Sequence, residues 1–166
     1  MLAKFRNIGQ ACTAANRFYV HTDVAEDFIA QFVAAVDDLV TGDGMDPDTT
    51  LGPLIDEATL NKVEELVDDA VDKGARVLAG GRRGDQSGHF YQPTVIVDIP
   101  EDARLLKEEI FGPILPVQTV SDAATAIRTH RAAGTTSLVA STVTESIDDL
   151  EQLLDLARID FAPVYA

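Results

Sequence analysis

The single cysteine of the chain, Cys12, stands in the run Phe5-Arg6-Asn7-Ile8-Gly9-Gln10-Ala11-Cys12-Thr13-Ala14-Ala15-Asn16-Arg17. A thiolate attacks an electrophilic carbon, and cationic neighbours or the start of a helical turn favour the thiolate over the thiol. Gly9 permits a tight turn just before Cys12, small residues follow it, and Arg6 and Arg17 are close in sequence. A nucleophile at the start of a helical turn is therefore one reading. A lone cysteine is as readily a small buried hydrophobe, and the run by itself does not choose between the two.

A second run, Lys107-Glu108-Glu109-Ile110-Phe111-Gly112-Pro113, sets two acids beside an aromatic ring and a Gly-Pro turn. Taken alone it is a polar loop leading into a strand. Other patterns carry less. Asp43, Asp46 and Asp48 begin like a calcium loop, but Leu54 stands where the closing glutamate belongs, so a plain loop is expected. His21, His89 and His130 have no paired ligand spacing, and no metal site is assigned. Gly80, Gly81 and Gly84 do not complete a phosphate-binding loop and suit a surface turn.

The elements that must position these residues follow from periodicity. Apolar residues from Val24 to Val40 recur at helical spacing, with Gly42 to Gly44 and Pro47 ending the pattern. A second helix starts near Asp56, buries Leu60, Val63, Leu66, Val67, Ala70 and Val71, and stops at Gly74. Short strands are expected at 75–79, 94–97 and 114–120, the last weakened by Pro116. A helix over 121–131, a strand over 138–141, a helix from Ser146 and the beginning of a strand at Val164 and Tyr165 complete the pattern. Helices alternating with short strands predict an α/β fold, a layered open sheet with helices on both faces.

The chain has 166 residues, suited to one domain, and its 46% hydrophobic content is enough for a core. The formal charge is -15, spread over helix faces, which argues against nucleic acid and anionic membrane surfaces as partners. One cysteine excludes an internal disulfide. There is no signal-peptide pattern and no apolar run of membrane-spanning length, so a cytoplasmic location is expected.

Taken together, the two runs resemble the aldehyde dehydrogenase superfamily. Its nucleophile motif, Phe-x-Asn-x-Gly-Gln-x-Cys, is matched by Phe5, Asn7, Gly9, Gln10 and Cys12, and its Glu-x-Phe-Gly-Pro motif by Glu109, Phe111, Gly112 and Pro113. Gly52-Pro53-Leu54-Ile55, Lys73-Gly74-Ala75 and Tyr91-Gln92-Pro93-Thr94 follow the family's order between them. Lys4-Phe5-Arg6-Asn7 and Gly52 to Glu57 are most similar to succinate-semialdehyde dehydrogenases.

The resemblance implies that residues 1–166 form one thiol-bearing catalytic domain, without the cofactor-binding domain, the glutamate base and the oxyanion asparagine that the family places before the nucleophile. It implies NAD or NADP as cofactor and a small-molecule aldehyde as substrate, in a complete enzyme that is a homo-oligomer. Cys12 would be the nucleophile, Glu109 would hold the nicotinamide ribose, Phe111 would pack against the nicotinamide, and Arg6 would pair with a substrate carboxylate. Residues 132–166 match the family faintly, and Ala14 stands where some members of the subgroup carry a second cysteine. A degenerate domain that folds or associates without turnover is the rival expectation.

Overall fold

In the computed structural model, residues 2–134 are described. The expected strand at 138–141, the helix from Ser146 and the strand beginning at Val164 lie outside these residues. The described elements run α1 (Leu2–Phe5), a 3-10 turn (Arg6–Gly9), β1 (Phe18–His21), α2 (Thr22–Asp37), α3 (Glu57–Asp72), β2 (Arg76–Ala79), β3 (Thr94–Val97), a second 3-10 turn (Arg104–Leu106), β4 (Ile114–Val120) and α4 (Ala123–Ala132).

The four strands form one sheet in the order β1-β4-β3-β2. β4 is parallel to both β1 and β3, with Phe18 opposite Val117 and Thr94 opposite Ile114, whereas β2 runs antiparallel to β3. Side chains alternate across a strand, and here the alternation divides two cores. Ile96 and Ile114 join Leu60, Val63, Leu66, Val67 and Ala70 of α3. Val95, Val97, Leu115 and Val117 join Val20 and the Ala25 and Val36 face of α2, with Phe28, Ile29, Phe32 and Val33 packed alongside. Helices therefore cover both faces, as an α/β sheet requires.

Pro116 sits in a central strand opposite Ile96, but pairing with β1 begins only at Val117. On the β1 side, no ladder hydrogen bond is forgone by its missing N–H.

Local chemistry sets the helix ends. Asp56 caps α3 by accepting the Thr59 N–H at 2.8 Å, and Gly74 leaves the helix with φ of 110°. Asp122 caps α4 in the same way from Thr125, at 2.6 Å. The expected bounds of α2 need correction. His21 caps its start, through an N–H donated by Asp23 to the imidazole Nδ1, and it stops at Asp37. Thr50 engages the Val40 backbone instead, accepting its N–H at 2.8 Å. Val24 and Val40 fit the helical period but are 55% and 49% exposed, and Val71 is likewise exposed rather than buried. β1 was not expected from the sequence at all.

The acidic loop and the glycine turn behave as turns. Met45 N–H bonds Asp43 and Asp48 N–H bonds Asp46, so these carboxylates shape the loop. Gly80 and Gly81 both adopt positive φ, and Gly81 N–H donates to Thr94 Oγ1 at 2.8 Å.

Candidate active site

The thiol segment is a closed loop. Ala15 N–H donates to the Ala3 carbonyl at 2.7 Å, bringing the end of the run back onto α1. Between them the chain passes through three consecutive left-handed residues, Asn7, Ile8 and Gly9, with φ of 50°, 53° and 76°. A β-branched residue in this region is a true outlier, costing roughly 1–2 kcal/mol. Burial of the Ile8 side chain in the α3 core offsets that cost. Asn7 Nδ2 donates to the Gln10 carbonyl at 2.8 Å, and Gln10 Oε1 accepts the Ile55 N–H at 3.1 Å. The motif residues around Cys12 are thus the ones that fix its backbone.

Cys12 is exposed, which removes the buried-hydrophobe alternative for the described part of the molecule. Its setting differs from the expected helix start. Ala14 N–H bonds the Ala11 carbonyl at 2.9 Å, a single turn, and the chain then extends into β1. The two expected cationic neighbours separate. Arg6 lines an open depression of about 380 Å³ together with Ala3, Ala11, Thr13 and Ala14, so the chain neighbours of Cys12 form part of its wall. Arg17 instead lies beside Tyr19, where burial pushes the phenol up and the guanidinium opposes it.

Lys4, on α1, is 1% exposed, and burial lowers its ammonium from the ordinary value to about 7. Lysine is rarely buried, so its residue type alone does not announce this placement.

The second run lies against the first. A Cβ on Gly9 would strike the carbonyl of Gly112, so the two backbones meet with no room for a side chain. The two acids of this run have different roles. Glu108 is held by Arg104, Nε to Oε1 at 2.7 Å, and this keeps its carboxyl below the usual range. Glu109 is exposed, and its carboxylate has no ion-pair partner among the described residues. Phe111 is half-buried with a left-handed φ of 52°.

The backbone around Glu109 is held by side chains that sequence reasoning missed. Asn16 Nδ2 donates to the Glu108 carbonyl at 3.1 Å, and Asn16 Oδ1 accepts the Ile110 N–H at 2.9 Å. Lys62 Nζ donates to the Glu109 carbonyl at 2.7 Å. Glu109 and Phe111 suit a ribose and a planar ring respectively, one offering carboxylate acceptors for vicinal hydroxyls and the other an apolar surface.

Known proteins resemble this chain in sequence and in fold. The model of the aldehyde dehydrogenase family matches residues 1–164. The NADP(+) succinate-semialdehyde dehydrogenase of Escherichia coli is 47% identical over 127 residues, which is 76% of this chain and 26% of that protein. A glutarate-semialdehyde dehydrogenase of Pseudomonas putida is 45% identical over 127 residues, with the same 76% and 26% shares. A crystal structure described as an E. coli NADP-dependent enzyme superposes with a TM-score of 0.87 at 40% identity, over 93% of this chain and 32% of that one. The chain spans about a quarter of the length of these curated relatives.

Proposed function

The chain belongs to the aldehyde dehydrogenase family, and on that premise we propose that Cys12 is the nucleophile in NAD(P)-dependent oxidation of succinate semialdehyde to its acid. The observation that carries this reading is the shared depression, walled by Arg6 and by the residues on either side of Cys12. A short aldehyde with a carboxylate at its far end suits a depression that a guanidinium lines and that the turn carrying the thiol borders. Relatives whose names specify succinate and glutarate semialdehydes have that chemistry in common.

The Cys12 thiolate adds to the aldehyde carbon, forming a C–S bond and leaving the negative charge on oxygen. The Cys12 backbone N–H helps to hold that oxyanion, with an asparagine contributed from outside this chain. Glu109 would hold the ribose hydroxyls of NAD(P) and Phe111 would shield its ring from water, and the cofactor, when bound, would supply the acceptor for the hydride that the carbon loses. The resulting Cys12 thioester is cleaved by water, which a carboxylate base deprotonates, releasing the acid and restoring the thiol.

The test uses a chimera in which residues 4–120 of this chain replace the matching segment of the E. coli relative. The chimera should form NADPH from succinate semialdehyde, and Cys12→Ala should abolish it. The 166-residue chain alone should form none, because the base and most of the cofactor site come from outside it. Full turnover by the Cys12→Ala chimera would overturn the assignment.

A further inference from the structure

We propose that Asn16 is a positioning residue that locks the cofactor-holding segment to the thiol segment, setting where Glu109 stands relative to Cys12. The inference rests on the functional reading above and adds to it a residue outside both motifs.

The geometry is reciprocal. Asn16 follows Cys12 by four residues and leads directly into β1. Its side-chain amide donates to the Glu108 carbonyl and accepts the Ile110 N–H, the backbone groups on either side of Glu109. A carbonyl can only accept and a backbone N–H can only donate, so these partners fix the orientation of the amide. Both bonds are partly buried and join residues more than ninety positions apart.

This segment is held by individual contacts and not by regular secondary structure. Residues 107–113 belong to no helix or strand, and Phe111 at φ of 52° would relax if released. Lys62 fixes the Glu109 carbonyl from α3, and Gly9 abuts Gly112. Asn16 is the side chain of the thiol segment that reaches across to hydrogen-bond both sides of Glu109. Aspartate at this position would keep the acceptor for Ile110 but set a carboxylate oxygen against the Glu108 carbonyl. Alanine would lose both bonds.

The consequence for chemistry lies in orientation. A cofactor whose ribose is held by a displaced Glu109 would still bind through contacts outside this segment, but its ring would sit off the line of hydride transfer. Misplacement of this kind lowers kcat by roughly ten- to a hundredfold while the KM for cofactor changes little. Hydride transfer then limits the rate, so deuterium on the aldehyde carbon slows the reaction more than in the unsubstituted chimera. A merely structural loss would reduce the active fraction and leave that isotope effect unchanged.

Two measurements test this. In the 166-residue chain, hydrogen exchange should show the Ile110 amide exchanging at least about tenfold faster in Asn16→Ala, while amides in the middle of α3 keep their rates. In the chimera, Asn16→Ala and Asn16→Asp should lower kcat and raise the isotope effect on deuterated succinate semialdehyde. Unchanged Ile110 exchange, or a lower kcat with an unchanged isotope effect, would overturn the proposal. A chimera inactive before any substitution at Asn16 would instead count against the functional reading, and the exchange experiment would still judge the clamp.

Discussion

Gly9 and Gly112 meet backbone to backbone, each belonging to one of the two motifs. A Cβ on Gly9 would collide with the Gly112 carbonyl, and the φ of 76° at Gly9 disfavours any side chain besides. The two segments are therefore in direct contact, and their separation depends on a residue with no side chain.

Gly9→Ala should destabilise the domain by about 3 kcal/mol, combining the left-handed penalty with displacement of main chain that has no cheap way to yield. Gly44→Ala provides the control, since nothing lies within 4 Å of a Cβ there. Thermal unfolding should show a drop of roughly 10 °C for the first and almost none for the second. Equal midpoints for both variants would mean that the contact yields freely.

Lys4 gives the fold a pH dependence whose sign follows from its burial. Its folded-state value is lowered to about 7 from 10.5. Between these limits the unfolded chain binds the proton and the folded chain does not, so stability rises with pH through that window and gains nothing below it. From pH 7 to pH 9 the gain is about 2 kcal/mol. Lys4→Met keeps the length of the side chain and should flatten this rise while stabilising the domain at pH 7. Parallel stability profiles for the two proteins would show that the ammonium reaches water.

Much of this architecture was legible because it is local. The apolar runs of β3 and β4 coincide with Thr94–Val97 and Ile114–Val120, and Asp56 marks the start of α3. The bounds of α2 were misread because Val24 and Val40 continue its period, whereas His21 and Thr50 decide where its backbone bonds go. β1 was missed because four residues, Phe18 to His21, gain their strand identity only from β4, about a hundred positions away. The candidate site divides the same way. Cys12, Arg6, Glu109 and Phe111 stand in recognisable runs. Asn16 is not recognisable in this way, because its partners are backbone atoms that no residue type announces.

Exposure makes Cys12 available to reagents. Iodoacetamide should label the folded chain completely and without denaturant, giving one adduct that tryptic mass spectrometry places at Cys12. Labelling that proceeds only once the chain is unfolded would return the residue to the role of a buried apolar group.

The proposed role of Arg6 is to pair with a carboxylate on the substrate. Its side chain lines the depression beside the Cys12 turn, and among the described residues it makes no hydrogen bond or ion pair. An arginine that braced the loop would spend its five donors on the loop's own carbonyls, so the open guanidinium favours a ligand. In the chimera, Arg6→Ala should impair succinate semialdehyde far more than an uncharged aldehyde of similar length. A charge-assisted bidentate pair contributes roughly 1.5–3 kcal/mol, which predicts a ten- to hundredfold loss in kcat/KM for the charged substrate. Arg6→Lys should recover only part of it, because an ammonium cannot reproduce two parallel N–H bonds to a carboxylate. Equal losses for charged and uncharged aldehydes would assign Arg6 to bracing after all, and would remove the semialdehyde assignment while leaving Cys12 as the nucleophile.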